Sequence, residues 1–262
     1  MTLYLHELKR NRKSLLIWTL CVGGMCLGCI LLYGSLEDSV KSIAESFSDM
    51  GGMSAALGMD KMSIATLRGY YATEIAMMHG LGGAMFAAIL GTGLLAKEES
   101  GHTAEFLNTL PVGRGSIVAQ KYMALLSNIV VLNLICLLLY LTGFGIMGET
   151  PDAGELLWYH FASGMMQLEV GTVCFAISAF SRKSAIGAGL GITILLFAAD
   201  MMCRILPAID NLKYITPFYY ASAADIFTSG KPDGAGLAVG IIVTVVSLAA
   251  AWIWYGRKDL HG

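Results

Sequence analysis

Leu15-Leu16-Ile17-Trp18-Thr19-Leu20-Cys21-Val22-Gly23-Gly24-Met25-Cys26-Leu27-Gly28-Cys29-Ile30-Leu31-Leu32-Tyr33 contains no charged side chain, and a basic tract, Lys9, Arg10, Arg12 and Lys13, runs almost directly into it. At a helical rise of about 1.5 Å per residue this stretch is long enough to cross a hydrocarbon core about 30 Å thick. A lone segment in lipid must satisfy its own backbone hydrogen bonds, which leaves helix as its only sensible state. The run is too long for the apolar core of a secretory leader. Tyr33-Gly34-Ser35-Leu36-Glu37 also lacks a small-residue cleavage site, so the run reads as a retained span.

Five more apolar stretches follow, at residues 75–95, 122–147, 157–180, 185–206 and 236–255. The composition agrees: 56% of the 262 residues are hydrophobic and 14% are charged, against roughly 25% charged in a soluble domain. A mean hydropathy of +0.65 leaves too few polar groups to cover a water-exposed surface. The expectation is an all-α, polytopic integral membrane protein, one transmembrane domain over 1–262 with six transmembrane helices. The net charge of −2 and the lack of a basic stripe argue against a nucleic acid partner. All six cysteines fall inside apolar runs and read as small hydrophobes. Cys26-x-x-Cys29 has no companion ligands nearby for a metal.

Lys and Arg gather at alternate ends of the spans. One set of connecting segments holds Lys9, Arg10, Arg12, Lys13, Lys97, Arg114, Lys121, Arg182, Lys183, Arg257 and Lys258. The other holds only Lys41, Lys61, Arg68, Lys213 and Lys231, with Arg204 near the end of the fifth span. The positive-inside rule therefore places both termini in the cytoplasm. On this reading 1–13 is an amphipathic segment along the inner interface, and 35–74 and 207–235 are extracytoplasmic. Val40, Ile43, Phe47 and Met50 suggest short helices resting on the outer face in the first of these. Pro217-Phe218-Tyr219-Tyr220 supplies headgroup-zone aromatics in the second.

Between the second and third spans, Thr103, Phe106, Leu107 and Leu110 stand at i, i+3, i+4, i+7, one apolar face on a short cytoplasmic helix. Pro111 and Gly113-Arg114-Gly115 stop that helix, and Ser116 is placed to cap the next. An exposed apolar face flanked by carboxylates is shaped to dock in a groove on another protein. The run Glu98-Glu99-x-Gly101-x-Thr103-x-Glu105-x-Leu107-x-x-x-Pro111-x-x-Arg114, continuing through Ile117-Val118 to Lys121, resembles the cytoplasmic coupling segment, here 98–116, of type-2 ABC transporter permeases. These are the membrane subunits of bacterial ABC exporters. The resemblance extends loosely over the whole chain: a basic start, six spans, a long first outer loop and a basic C-terminal end.

That resemblance implies a multi-pass protein of the bacterial cytoplasmic membrane. It would work with two ABC ATPase subunits and a second permease, identical or not, surrounded by membrane lipid. ATP and Mg would be bound by the ATPase and no cofactor by this chain, which would be a transporter subunit and not an enzyme. Glu98, Glu99, Gly101, Thr103, Glu105, Phe106, Leu107, Leu110, Pro111 and Arg114 would contact the ATPase or shape the loop. The cargo would be a hydrophobic or amphiphilic compound or peptide, a choice that the Met-rich spans suit. No G-x-x-x-x-G-K-[ST] is present; Gly230-Lys231 is followed by Pro232.

Glu169 and Gln167 in the fourth span, and Asp200 with Arg204 in the fifth, are candidate linings of a translocation path. An intramembrane carboxylate costs at least about 2.5 kcal/mol and must face protein or water. The i, i+4 spacing of Asp200 and Arg204 also suits a plain structural ion pair. His79 and His160 read as packing residues. The pairs Gly24/Gly28, Gly187/Gly191 and Gly236/Gly240 would allow close helix contact. Two other functions fit some of these features. One is an ion-coupled secondary transporter using Glu169 or Asp200. The other is an intramembrane enzyme, since Glu98-Glu99 is similar to the paired glutamates of CAAX-type membrane proteases. In the latter case Thr103 stands where those proteases carry Arg, and H-E-x-x-H is absent.

Overall fold

The computed structural model of the chain describes residues 2–48, 51–101 and 112–258, and among these there is no strand. Six helices are long and apolar enough to cross a membrane: α1 (Thr2–Ser46), α2 (Leu67–Leu94), α3 (Arg114–Ile146), α4 (Ala153–Phe180), α5 (Ile186–Ile205) and α6 (Gly234–Arg257). Each covers one of the six apolar stretches to within a residue at either end, as expected of chains that must bond their own backbone in lipid. Helices α2 and α4 form the centre. In each of them 67% of the most apolar window is buried, against 22% in α5 and in α6.

Between α2 and α4, glycines take the place of side chains. Gly91 faces the Gly171 carbonyl and Gly83 faces the Gln167 amide, both closer than a Cβ could stand, and a methyl group at Gly171 would meet Ala87 Cβ at 3.2 Å. With lipid as apolar as the side chains, such close packing is what holds membrane helices together. The glycine pairs named from the sequence divide, and only Gly236/Gly240 make close contacts within the chain. Gly24, Gly28, Gly187 and Gly191 have open space where a Cβ would be, while Gly236 and Gly240 press on Tyr219 and Tyr220.

Two π-helical turns interrupt the α-helical ladder, Thr19–Gly24 in α1 and Tyr71–Ile75 in α2. A π turn inserts a residue and rotates the face that follows it. The first sets Val22 against Gly82 of α2 and Gly23 against Cys136 and Leu139 of α3. The second buries Tyr71 completely among Tyr140, Phe144, Tyr159 and Phe227.

Three local expectations change. Residues 2–13 do not form a helix of their own, because α1 continues from Thr2 through the π turn at Thr19–Gly24 into the span. The Tyr4 amide donates to Gln120 Oε1 at 3.2 Å, the Tyr4 and Ser127 hydroxyls lie 2.9 Å apart, and Glu7 is fully buried. No Pro or Gly precedes Gly23 to stop propagation. The stretch 35–74 is shortened from both sides: helix continues to Ser48, α2 begins at Leu67 with Thr66 as its cap, and Gly52–Ala56 is a short helix between them. Glu74 accordingly lies within the π turn of α2. Ser116 does not cap α3, which starts at Arg114 behind Gly113; its hydroxyl instead accepts from Gln120 Nε2 at 3.0 Å.

The end opposite the termini is closed by the segment after α5: a 3-10 helix Pro207–Ile215 and two short helices, Pro217–Tyr220 and Ala223–Ser229. Arg68 binds it to the bundle. Its guanidinium forks onto Glu155 at 2.6 and 3.0 Å and also donates to the Phe227 carbonyl at 3.0 Å.

Candidate functional site

Helix α2 ends at Leu94, and one further helical turn, Lys97–Ser100, leads toward the stretch that resembles a coupling segment. Thr103, Glu105, Phe106, Leu107, Leu110 and Pro111 lie outside the described residues. The flanks do not, and they form a compact charge cluster. Lys97 pairs with Glu7 of α1. Lys121 of α3, with no exposed surface, stands 2.5 Å from Glu98 and 3.5 Å from Glu7, and donates to the Leu94 carbonyl at the end of α2. Lys258, beyond α6, reaches Glu99 at 2.6 Å and donates to the Ser181 carbonyl at 2.8 Å. Arg114 donates to the carbonyls of Gly256, at 3.3 Å, and Lys258.

Three carboxylates thus meet three ammonium groups where α1, α2, α3 and the C-terminal end converge. An unpaired charge at such buried positions would cost several kcal/mol, so each holds its partner in place. Burial pulls the Lys97 ammonium below its ordinary pKa; neighbouring Lys121 adds to this and Glu7 opposes it. Glu98 and Glu99 point into the protein, and Arg114 ties the first turn of α3 to the C-terminal end. Gly101 ends the preceding turn, its amide donating to the Lys97 carbonyl at 2.9 Å. The sequence reading ran as far as Lys121 but did not pair it with any carboxylate, and took no account of Glu7, Lys97 and Lys258 as members of this site. Its one available clue was a carboxylate in the midst of a basic N-terminal tract.

The four candidate path residues do not converge. Gln167 is fully buried, accepts from Asn133 Nδ2 at 2.7 Å and donates to Ser163 Oγ at 3.1 Å, facing α2 and α3. Glu169 faces the other way and accepts the Tyr220 hydroxyl at 2.9 Å. Only a glycine fits opposite, at Gly240 of α6, where a Cβ would come 2.5 Å from the Glu169 carboxylate.

Asp200 and Arg204 are paired at 2.8 Å, and Arg204 continues to Asp225 at 2.9 Å, which also takes Lys61. Burial raises the Asp225 carboxyl, but Arg204 and Lys61 together more than reverse this and hold it below the ordinary value. Arg204 therefore turns inward as a bridge rather than out to the interface. A cavity of about 70 Å³ opens beside it, lined by Met77, Met166, Phe197, Asp200, Arg204 and Phe218. That is far below the roughly 300 Å³ of a pocket for a drug-sized compound.

His79 and His160 pack in the core with ring centroids 5.1 Å apart. Tyr159 gives its hydroxyl proton to the Ala76 carbonyl at 2.7 Å, so it accepts from His79 Nδ1 at 3.1 Å. The pair belongs to the aromatic core around Tyr71 and Tyr140.

Comparison with known proteins bears on the whole chain. The family described as ABC-2 family transporter protein matches residues 1–260. The Bacillus subtilis (strain 168) protein YhcI, itself described as uncharacterized, is 28% identical over 205 residues, covering 70% of this chain and 63% of that protein. The chain thus matches somewhat less than two thirds of that relative's length. Six membrane-length helices and a family match over nearly every residue lead to one conclusion: the chain belongs to the ABC-2 transporter family.

Proposed function

We propose that this chain is one of two permease subunits in an ATP-driven exporter of the bacterial cytoplasmic membrane, with both termini in the cytoplasm. Two ATPase subunits bind ATP and Mg and grip the 98–116 segment of each permease. The pair of bundles carries a hydrophobic or amphiphilic compound or peptide outward between them. The reading rests on one observation above all: the stretch 102–111 is fastened on both flanks, Lys97, Glu98 and Glu99 by ion pairs to α1, α3 and Lys258, and Arg114 by hydrogen bonds to the Gly256 and Lys258 carbonyls.

A docking loop transmits movement only if its base is stiff. A displacement of Phe106 and its neighbours passes through Glu98 and Lys121 into α3, and through Lys97 and Glu7 into α1. Glu98, Glu99, Gly101 and Arg114 shape and anchor the loop, while Thr103, Glu105, Phe106, Leu107, Leu110 and Pro111 supply the surface that meets the ATPase.

Co-purification with the ATPase encoded beside this chain tests the proposal. Phe106→Ala and Glu105→Arg should each separate the two proteins and abolish stimulation of ATP hydrolysis. If complex and stimulation survive both changes, the assignment fails. Labelling of Phe106→Cys only from the outer side of the membrane would refute it equally.

A further inference from the structure

The charges at the terminal end are sorted by sign. Every carboxylate described there, Glu7, Glu98 and Glu99, is turned inward onto Lys97, Lys121 or Lys258. Lys9, Arg10, Arg12, Lys13, Arg182, Lys183 and Arg257 are all exposed, and none has an ion-pair partner among the described residues. Among the described residues the exposed charges of this rim are therefore all cationic, although the chain as a whole carries −2.

One sector of the rim is joined directly to the lipid-facing wall. The hydrogen bond from Lys258 to the Ser181 carbonyl brings the end of α6 to the turn between α4 and α5. Arg257 adjoins one end of that bond, and Arg182 with Lys183 adjoins the other. Next to these cations Phe180 and Trp254 pack with ring centroids 4.6 Å apart, yet both remain about half exposed, at 51% and 48%. Aromatic rings half in apolar surroundings, under a group of exposed cations, match the boundary between acyl chains and headgroups.

We infer that Arg182, Lys183, Arg257 and the Phe180–Trp254 pair form a binding site for an anionic phospholipid. The phosphate, its negative charge not offset by a headgroup ammonium, would lie on the three cations and an acyl chain along the two rings. The occupant is chosen by charge complementarity and by continuity with the apolar wall: a lipid reaches both parts at once. Clusters of basic residues beside a span attract anionic headgroups, each adding to the local enrichment.

The test uses the full chain with Trp254 as its only tryptophan, Trp18, Trp158 and Trp252 being replaced by Phe. It is reconstituted in phosphatidylcholine vesicles containing a small, equal fraction of brominated phosphatidylglycerol or brominated phosphatidylcholine. The glycerol lipid should quench Trp254 at least about threefold more than the choline lipid. The excess should shrink with salt and vanish in R182Q/K183Q/R257Q, while R182K/R257K, which keeps the charge, should preserve it. A matching chain with only Trp158, at the opposite end of α4, should show no excess. Equal quenching of Trp254 by the two lipids, or an excess that survives the triple Gln change, would overturn the site.

Discussion

Replacing Lys121 with Met keeps most of the side-chain volume and removes the charge at the centre of the terminal cluster. Lys121 has no exposed surface, Glu7 has 1% and Glu98 has 12%, so the carboxylates left behind cannot recover full hydration. Removing one member of a buried pair costs about 3–5 kcal/mol. Two features set the expectation near the lower bound, about 3 kcal/mol: Glu7 keeps Lys97, and Glu98 retains some access to water. Adding Glu98→Gln removes the carboxylate that faced Lys121, so K121M/E98Q should recover about half of that loss, a coupling readable from a double-mutant cycle. The measurement is reversible unfolding of the purified chain in mixed micelles. Lys41→Met serves as reference; its pair with Glu37 is 49% exposed on both sides and its loss should barely move the transition. If K121M proves as mild as K41M, Lys121 is not a buried structural charge and the stiff base assigned to the coupling loop does not exist.

Arg204→Lys should fail to restore the link at the opposite end, because a single ammonium cannot span Asp200 and Asp225 as the guanidinium does; most of the loss seen with Arg204→Met, about 3 kcal/mol, should remain on unfolding. Gly91→Ala pushes a methyl group into the Gly171 carbonyl and should cost about 2–3 kcal/mol, whereas Gly187→Ala meets open space and should be neutral or slightly stabilising on thermal denaturation. Because Asp225 is held below its ordinary pKa, its contribution is complete above about pH 3.9, the unfolded value, and declines as pH falls from there through the folded one. Amide exchange in Ala223–Ser229 should therefore accelerate only in that acid range, and Asp225→Asn should abolish the dependence.

The spans were readable because the physics that places them is local. Nineteen uncharged residues in a row, or a stretch such as 236–255, report their own environment. The glycine contacts show where local reading ends. Gly187 and Gly191 have the spacing of a packing motif and touch nothing, while Gly83 and Gly91 form the central seam without belonging to any pair singled out from the sequence. Whether a small residue sits in a seam depends on helix rotation, and two π turns alter that rotation in α1 and α2.

The polar site divides in the same way. The sequence located the 98–116 segment and, through its resemblance, the family. It did not reveal that Glu98 and Glu99 face Lys121 and Lys258, or that Arg204 reaches beyond Asp200 to Asp225. Composition and periodicity alone determined a six-helix membrane protein, since hydrophobic length and backbone bonding in lipid act on each segment independently. Only the tertiary structure decided which charges are partners: Glu7 and Lys97 are 90 positions apart, and buried ions take whichever opposite charge the packing of separate helices brings within reach.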